Sequence, residues 1–143
     1  MAIKQITVFV ENKQGTLVEI TDTLAKHNVN IRALSIADTQ DFGILRLIVT
    51  DNEAATTALS EHGFLVKTTD VVGVKIGDAP GKLSTALEIL DKSQINMEYL
   101  YAFMARTERH AYVVLRVADN AAAEAALTSA GFHMITDADI AKL

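Results

Sequence analysis

Apolar residues recur at every second position over about 5–10, with Ile6, Val8 and Val10 on one side and Gln5 and Thr7 between them. That is the pattern of a half-buried strand. The period then changes: Leu17, Ile20 and Leu24 recur at the spacing of one helical face, which predicts a helix burying those three residues. Asn28 and Asn30 mark the turn out of it. Strand patterns return over 31–37 and 44–50, separated by the polar Thr39-Gln40-Asp41, and predict a hairpin with a loop longer than two residues. Asp51-Asn52 offer an N-cap to a short alanine-rich helix, and Gly63 stands where a left-handed glycine would stop it. A last short strand begins at Phe64. The order is βαββαβ.

The chain then repeats itself. At an offset of 66, Val8 meets Val74, Gly15 meets Gly81, Leu17 meets Leu83, Leu24 meets Leu90 and Asn30 meets Asn96. Past the hairpin the offset becomes 68: Leu47 meets Leu115, Val49 meets Val117, and Asp51-Asn52 meet Asp119-Asn120. Ala54, Ala55, Ala58, Leu59, Gly63 and Phe64 meet Ala122, Ala123, Ala126, Leu127, Gly131 and Phe132. Matches this dense and in register identify a tandem duplication. In the second copy the strand carries Val72, Val74 and Ile76, and the helix carries Leu83, Leu87 and Leu90 on one face. Gln94 and Asn96 mark its exit, and strands over 97–104 and 111–118 flank Arg106-Thr107-Glu108. The expected units are 1–70 and 71–143.

A βαββαβ unit folds as a four-stranded antiparallel sheet with both helices on one face, so the fold class is α+β, two tandem ferredoxin-like units. Each is marginal alone at about 70 residues, and sheets joined or packed together would supply the missing burial. If Leu45, Leu47 and Val49 face the helices, then Ile44, Arg46 and Ile48 face away, as do Tyr112, Val114 and Arg116. Ile44, Ile48 and Val114 would then be an exposed apolar surface, covered by a second sheet in this chain or in another. The expectation is a homodimer or larger, burying more than about 1,200 Å². Tyr99, Tyr101 and Phe103 read either as such a packed face or as the wall of a ligand pocket.

Composition removes several classes of function. Six basic residues face nine acidic ones over 1–72 and seven face nine over 73–143, for a formal charge of −5; neither half has the basic surplus of a nucleic-acid binder. The order is shared with an RNA-recognition module, but the third strands carry Leu45-Arg46-Leu47 and Val113-Val114-Leu115 where that module needs aromatics. The absence of cysteine excludes disulfides, thiolate metal sites and thiol nucleophiles. No apolar run approaches the roughly 20 residues that span a bilayer, and Met1-Ala2-Ile3-Lys4-Gln5 shows no signal-peptide core. The expected setting is cytoplasmic, with no membrane partner.

Catalytic chemistry finds little footing. His27, His62, His110 and His133 show no metal-ligand spacing, and His27 and His62 fall at helix ends where an imidazolium suits the dipole. Gly77-Asp78-Ala79-Pro80-Gly81-Lys82 is no phosphate loop, because three residues separate its glycines and Leu83 takes the Ser/Thr position. Ser35, Ser84 and Ser93 have no base bracketing them. Asp137 and Asp139 read as a solvated, helix-starting tail. The expectation is no catalytic residue, no metal and no cofactor. What remains is a strand–loop–helix written twice, with glycine where each helix begins. Free N–H groups and a positive helix end at that point suit a small carboxylate.

These stretches resemble the ACT domain, the regulatory fold attached to many enzymes of amino-acid metabolism. The resemblance rests on Val8-Phe9-Val10-Glu11-Asn12-Lys13-Gln14-Gly15-Thr16-Leu17 with Val29-Asn30-Ile31, and on Ile76-Gly77-Asp78-Ala79-Pro80-Gly81-Lys82-Leu83 with Ile95-Asn96-Met97. It implies two units side by side, with a free amino acid between the strand–helix loop of one and the second-strand start of the other. Carried over, it nominates Asn12, Lys13, Gln14 and Gly15 with Asn30 and Ile31, and Asp78, Ala79, Pro80 and Gly81 with Asn96 and Met97. Loop N–H groups at Gly15 and Gly81 suit the ligand's carboxylate, Asp78 suits its ammonium, and Asn30 and Asn96 can both donate and accept. The alternative for both asparagines is a plain turn role, and for Lys13 and Glu11 a solvated loop charge. The first copy departs from the pattern, with Gln14-Gly15 for Pro80-Gly81 and no counterpart of Asp78. Together the units cover nearly the whole chain and leave no catalytic domain over. The implied function is a stand-alone, non-catalytic amino-acid sensor. The alternatives are a regulatory subunit of a larger biosynthetic enzyme such as acetolactate synthase, whose subunit the first unit is similar to, and a small ferredoxin-like enzyme.

Overall fold

The computed structural model describes residues 2–38, 41–105 and 109–143. Thr39 and Gln40 of the first polar turn, and Arg106-Thr107-Glu108 of the second, lie outside the described residues. The chain forms two compact units, Lys4–Thr69 and Asp70–Leu143, the latter taking in Ala2 and Ile3. The first holds β1 (Ile3–Glu11), α1 (Thr16–Lys26), β2 (Ile31–Asp38), β3 (Phe42–Val49), α2 (Asn52–Glu61) and the start of β4 (Leu65–Gly77). The second continues β4 and adds α3 (Lys82–Lys92), β5 (Met97–Ala102), β6 (His110–Val117), α4 (Asn120–Ser129), β7 (His133–Met134) and α5 (Asp137–Lys142). Two tandem α+β units of the βαββαβ order are therefore present. The expected last strand of one copy and first strand of the next are a single 13-residue strand, β4. Lys67-Thr68-Thr69 offers no glycine, proline or asparagine to break it.

In the first unit β3 lies between β2 and β1, antiparallel to both, with Ile6 opposite Leu47, Val8 opposite Leu45, and Leu34 opposite Leu47. In the second β6 lies between β5 and β4, with Val72 opposite Leu115, Val74 opposite Val113, and Leu100 opposite Leu115. The register even shifts at the same place in both hairpins, between Ile31 and Ala33 and between Met97 and Tyr99. Each core lies between sheet and helices. Ile6, Val8, Leu45, Leu47, Ile20, Leu24 and Leu59 fill the first; Val72, Val74, Val113, Leu115, Ala86, Leu90 and Leu127 fill the second.

Backbone geometry explains the helix ends. Asp51 and Asp119 each accept an N–H three residues on, from Ala54 and Ala122, both at 3.0 Å, and so cap α2 and α4. Gly63 and Gly131 stop those helices at φ 90° and 92°. The Phe64 and Phe132 N–H groups then donate back to Leu59 and Leu127 at 3.0 Å, and the longer helices stop in the same way without glycine. Asn28 and Gln94 adopt φ 57°, and the N–H groups of Val29 and Ile95 donate back to Leu24 and Leu90 at 3.0 Å, the six-to-one bond of a Schellman ending.

One expectation about burial fails, and an open one is decided. Leu17 is 45% exposed, and the buried residues of α1 are Thr16, Ile20, Thr23 and Leu24; Leu17 sits on the first turn at the margin of the face that Ile20 and Leu24 define. The sheet face away from the helices, expected to be covered by this chain or by another, is largely covered within this chain. Ile48 and Val114 are fully buried and Ile44 is half-buried. In the second unit the cover includes the segment after β7. The Ile135 N–H donates to the Gly73 carbonyl at 2.7 Å, and Ile135 and Ile140 are buried. Asp137 and Asp139 do begin a helix there. Asp139 is half-buried, because its carboxylate accepts from the Thr136 N–H and hydroxyl in a capping box. Among the described residues no helix is long and apolar enough to cross a membrane.

Candidate functional site

The two strand–helix loops are built alike. β1 ends at Glu11, the Asn12 N–H donates to the Asp41 carbonyl at 3.0 Å, and Gly15 enters α1 at φ 91°. β4 ends at Gly77, the Asp78 N–H donates to the Arg109 carbonyl at 2.9 Å, and Gly81 enters α3 at φ 87°. Neither glycine can cap with a side chain, and neither helix start has a side-chain cap hydrogen bond. The Thr16 and Lys82 N–H groups turn back to the Lys13 and Ala79 carbonyls at 3.5 and 3.2 Å, which leaves those of Leu17 and Val18, and of Leu83 and Ser84, to solvent or to a ligand. A Cβ at Gly15 or Gly81 would meet nothing within 4 Å, so the need for glycine is conformational rather than steric. Asn12, Lys13, Gln14, Asp78, Ala79 and Pro80 are all exposed.

The second-strand residues stand elsewhere. Glu11 is opposite Phe42 at one end of β3, while Ile31 is opposite Val49 at the other. Gly77 and Met97 are separated in the same way along β6, opposite His110 and Val117. Seven strand steps put about 23 Å between the loop of a unit and its own second-strand start. The structure therefore does not bring Asn12–Gly15 to Asn30–Ile31, nor Asp78–Gly81 to Asn96–Met97, within one unit. Asn30 is not the cap of α1, since Asn28 takes the left-handed position. Its own backbone exchanges hydrogen bonds with Thr50: its N–H donates to Thr50 Oγ1 at 3.0 Å, and its carbonyl accepts from the Thr50 N–H at 3.0 Å. The side chains of Asn30 and Asn96 project from exposed positions.

Each unit also carries a cleft that the sequence patterns do not announce. In the first, about 270 Å³ lies between the end of β1, the first turn of α1 and the Gly63 turn, lined by Phe9, Val10, Glu11, Lys13, Thr16, Glu19, His62, Gly63 and Phe64. Lys13 Nζ pairs with Glu11 Oε2 at 3.1 Å and His62 Nε2 with Glu19 Oε1 at 3.6 Å. Both pairs are exposed and add little to stability. Thr16 Oγ1 is buried without a hydrogen-bond partner. In the second unit about 440 Å³ occupies the same place, lined by Lys75, Ile76, Gly77, Lys82, Thr85, His110, Ala130, Gly131, Phe132 and His133. The 66- and 68-residue offsets superpose these linings, so that Thr16 corresponds to Lys82, Glu19 to Thr85 and His62 to Ala130. That register was the available signal for finding them.

Tyr99, Tyr101 and Phe103 belong to packing. Tyr101 stands opposite Val114, on the face away from the helices, and Tyr101 and Phe103 are each 7% exposed. Phe103 meets Tyr112 edge-on at 6.2 Å, and Tyr99 stacks on Tyr101 at 6.5 Å. His27 and His62 do occupy helix C-caps, and His27 Nδ1 lies 2.8 Å from the Thr23 carbonyl oxygen. Among the described residues no three His, Asp or Glu side chains gather as metal ligands.

The sequence profile of the ACT domain pair matches residues 1–143. A crystal structure of a Bacteroides thetaiotaomicron protein is 38% identical, covers 100% of this chain and 98% of its own, and superposes with a TM-score of 0.93. The ligand-free regulatory subunit of aspartate kinase from Thermus thermophilus is 16% identical over 91% of this chain and 93% of its own, with a TM-score of 0.68. The aspartokinase alpha and beta subunits are 19% identical over 89% and 90%, with a TM-score of 0.61. At that identity the last two show the shared fold. No curated protein matches the chain.

Proposed function

The chain belongs to the ACT domain pair family, and from that premise we propose that it is a non-catalytic cytoplasmic regulator that binds a free amino acid at its strand–helix loops. The observation that carries the reading is the helix start built twice, each entered through a left-handed glycine and left without a side-chain cap. Such an end presents N–H donors and a partial positive charge to a carboxylate. In the second unit Asp78 adds a partner for the ammonium, and Pro80 holds the loop before binding, so less ordering entropy is lost on capture.

The separation along β3 and β6 bears on how Asn30 and Asn96 contribute. A second-strand start that reaches a loop must come from a different unit, and a second copy of the chain can supply one. β2 shows Leu34 and Ile36 at 42% and 50% exposure, and antiparallel pairing of β2 with its counterpart in a second copy would set the start of one strand at the loop end of the other. This is the basis for a homodimer, now that Ile48 and Val114 are buried. Light scattering at micromolar concentration should give twice the chain mass; a monomer would count against the pairing.

The decisive experiment is a thermal-shift screen of the twenty amino acids followed by titration calorimetry. A ligand at 100 times its Kd adds about 2.7 kcal/mol of stability. Asp78→Ala should weaken it roughly 10- to 150-fold, the weight of a charged hydrogen bond, and Asn12→Ala should do less. Normal binding in folded Asp78→Ala and Gly81→Leu variants would place the ligand elsewhere. A second reading, a regulatory subunit of a larger enzyme, is supported by the likeness of fold to the aspartate kinase subunits. Co-purification with such an enzyme would favour it.

A further inference from the structure

In the first unit Asn12 stands where the second has Asp78, but the cleft of the first unit carries the acids that its loop lacks. Glu11, at the end of β1, and Glu19, in the first turn of α1, line that cleft together with Thr16. Thr16 and Glu19 are three residues apart and share one face of α1. Glu11 adjoins them. At the corresponding pair in the second unit, a Cβ on Gly77 would come within 3.1 Å of Lys82 Cγ. Each carboxylate holds its cation by one oxygen, Glu11 Oε2 to Lys13 and Glu19 Oε1 to His62, and a carboxylate accepts more than one donor. The His62 and Phe64 rings, stacked at 6.3 Å, wall the same cleft.

The hydroxyl of Thr16 is the observation that points to a ligand. Thr16 is only 7% exposed, and its Oγ1 is buried without a hydrogen-bond partner. A buried hydroxyl in that state has lost its hydrogen bonds to water without replacing them, and a bound polar group in the cleft restores one. The equivalent lining of the second unit differs at all three places. Gly77 stands for Glu11 and Lys82 for Thr16, while the Thr85 hydroxyl, at the place of Glu19, donates to the Gly81 carbonyl at 2.9 Å. The acid is in the loop of the second unit and in the cleft of the first.

We propose that the first-unit cleft receives the α-ammonium of a free amino acid on Glu11, Glu19 and the Thr16 hydroxyl, with its carboxylate on the Leu17 and Val18 N–H groups. An ammonium has three N–H donors, and these three side chains offer it three acceptors. A cleft of about 270 Å³ suits a molecule the size of one amino acid. The inference rests on the amino-acid reading and extends it to two sites per chain that grip the ammonium differently, the second through Asp78.

The test titrates the full chain with each of the twenty L-amino acids, and with the N-acetyl derivatives of those that bind. Backbone N–H signals of Leu17 and Val18 report the first unit, and those of Leu83 and Ser84 the second. At least one amino acid should shift Leu17 and Val18 saturably. Thr16→Val and Glu19→Gln should each weaken the affinity read there about tenfold, as should N-acetylation, and neither variant should change the affinity read at Leu83 and Ser84. Thr16→Val keeps the shape of the side chain and removes the unpartnered hydroxyl, so the free chain should melt no lower while it binds more weakly. A purely structural residue would not separate those two effects. Saturation at Leu83 and Ser84 with Leu17 and Val18 unmoved would overturn the first-unit site and leave the amino-acid reading standing. Wild-type affinity at Leu17 and Val18 in both variants would also overturn it. Silence of all four signals with all twenty amino acids would overturn both.

Discussion

Replacing Gly81 by alanine isolates one physical term, because the loop gives the new methyl group room and denies it a comfortable backbone. Gly81 has φ 87°, and a Cβ built on it meets no atom within 4 Å. The cost is therefore the left-handed conformation itself, about 1–2 kcal/mol for a residue with a side chain. Against this, alanine narrows the unfolded ensemble and returns about 0.4–1 kcal/mol. The net loss should be about 1 kcal/mol, or about 4 °C in Tm for a chain of this size. Gly15, at φ 91° with equally open space, should cost the same in spite of its different neighbours. Since no contact is involved, Gly81→Leu should cost little more than Gly81→Ala, and Gly81→Asn less, because asparagine tolerates positive φ. Guanidinium unfolding midpoints of the four variants measure this directly. A neutral Gly81→Ala would mean that the loop does not hold this conformation in solution, and a loss above about 3 kcal/mol would mean an unseen clash. Either result would remove the pre-set helix start on which the carboxylate argument rests.

Gly73 should behave in the opposite way. There a Cβ would lie 2.9 Å from Ile3 Cδ1 and 3.2 Å from Ile135 Cβ, so Gly73→Ala should cost about 1–3 kcal/mol by overpacking. Ile3→Val, which removes the nearer atom, should be less harmful in that background than alone, and a double-mutant cycle reads the coupling. The last helix should respond to acid. Asp139 is held below the usual carboxylate range first by the Thr136 N–H, then by the Thr136 hydroxyl, with the His133 and Lys142 charges assisting and burial opposing. A depressed folded-state value means that the stabilisation is complete above the unfolded pKa of about 3.9 and fades as pH falls through the lower folded value. The stability difference between the wild type and Asp139→Asn should be flat above about pH 5 and shrink in stronger acid; a gap that stays constant to pH 2 would refute the carboxylate's role.

The duplication, the element order and most helix ends were legible in the residues alone, because each depends on contacts within a few positions. Asp51 reaches Ala54, Gly63 needs only its own φ, and the alternation of Ile6, Val8 and Val10 reports a single strand. The loops Asn12–Gly15 and Asp78–Gly81 were legible for the same reason, as strand-to-helix junctions closed by glycine. Other features lay beyond that range. Leu17 satisfies the helical spacing and is still exposed, since spacing defines a stripe and the neighbouring elements decide its width. Ile48 and Val114 were placed on the right face, but whether that face is covered depends on chain far away in sequence, such as Ile135 against Gly73. The opposed positions of Gly77 and Met97 follow from strand register, which no single strand contains. The clefts are the extreme case: Thr16 and His62, or Lys82 and His133, become neighbours only when a helix start and a strand or turn some fifty residues on fold to the same end of one sheet. Local hydrogen bonding and backbone sterics act over about four residues and are written in the sequence, whereas burial and charge proximity sum over all segments that meet in space and exist only once the chain has closed on itself.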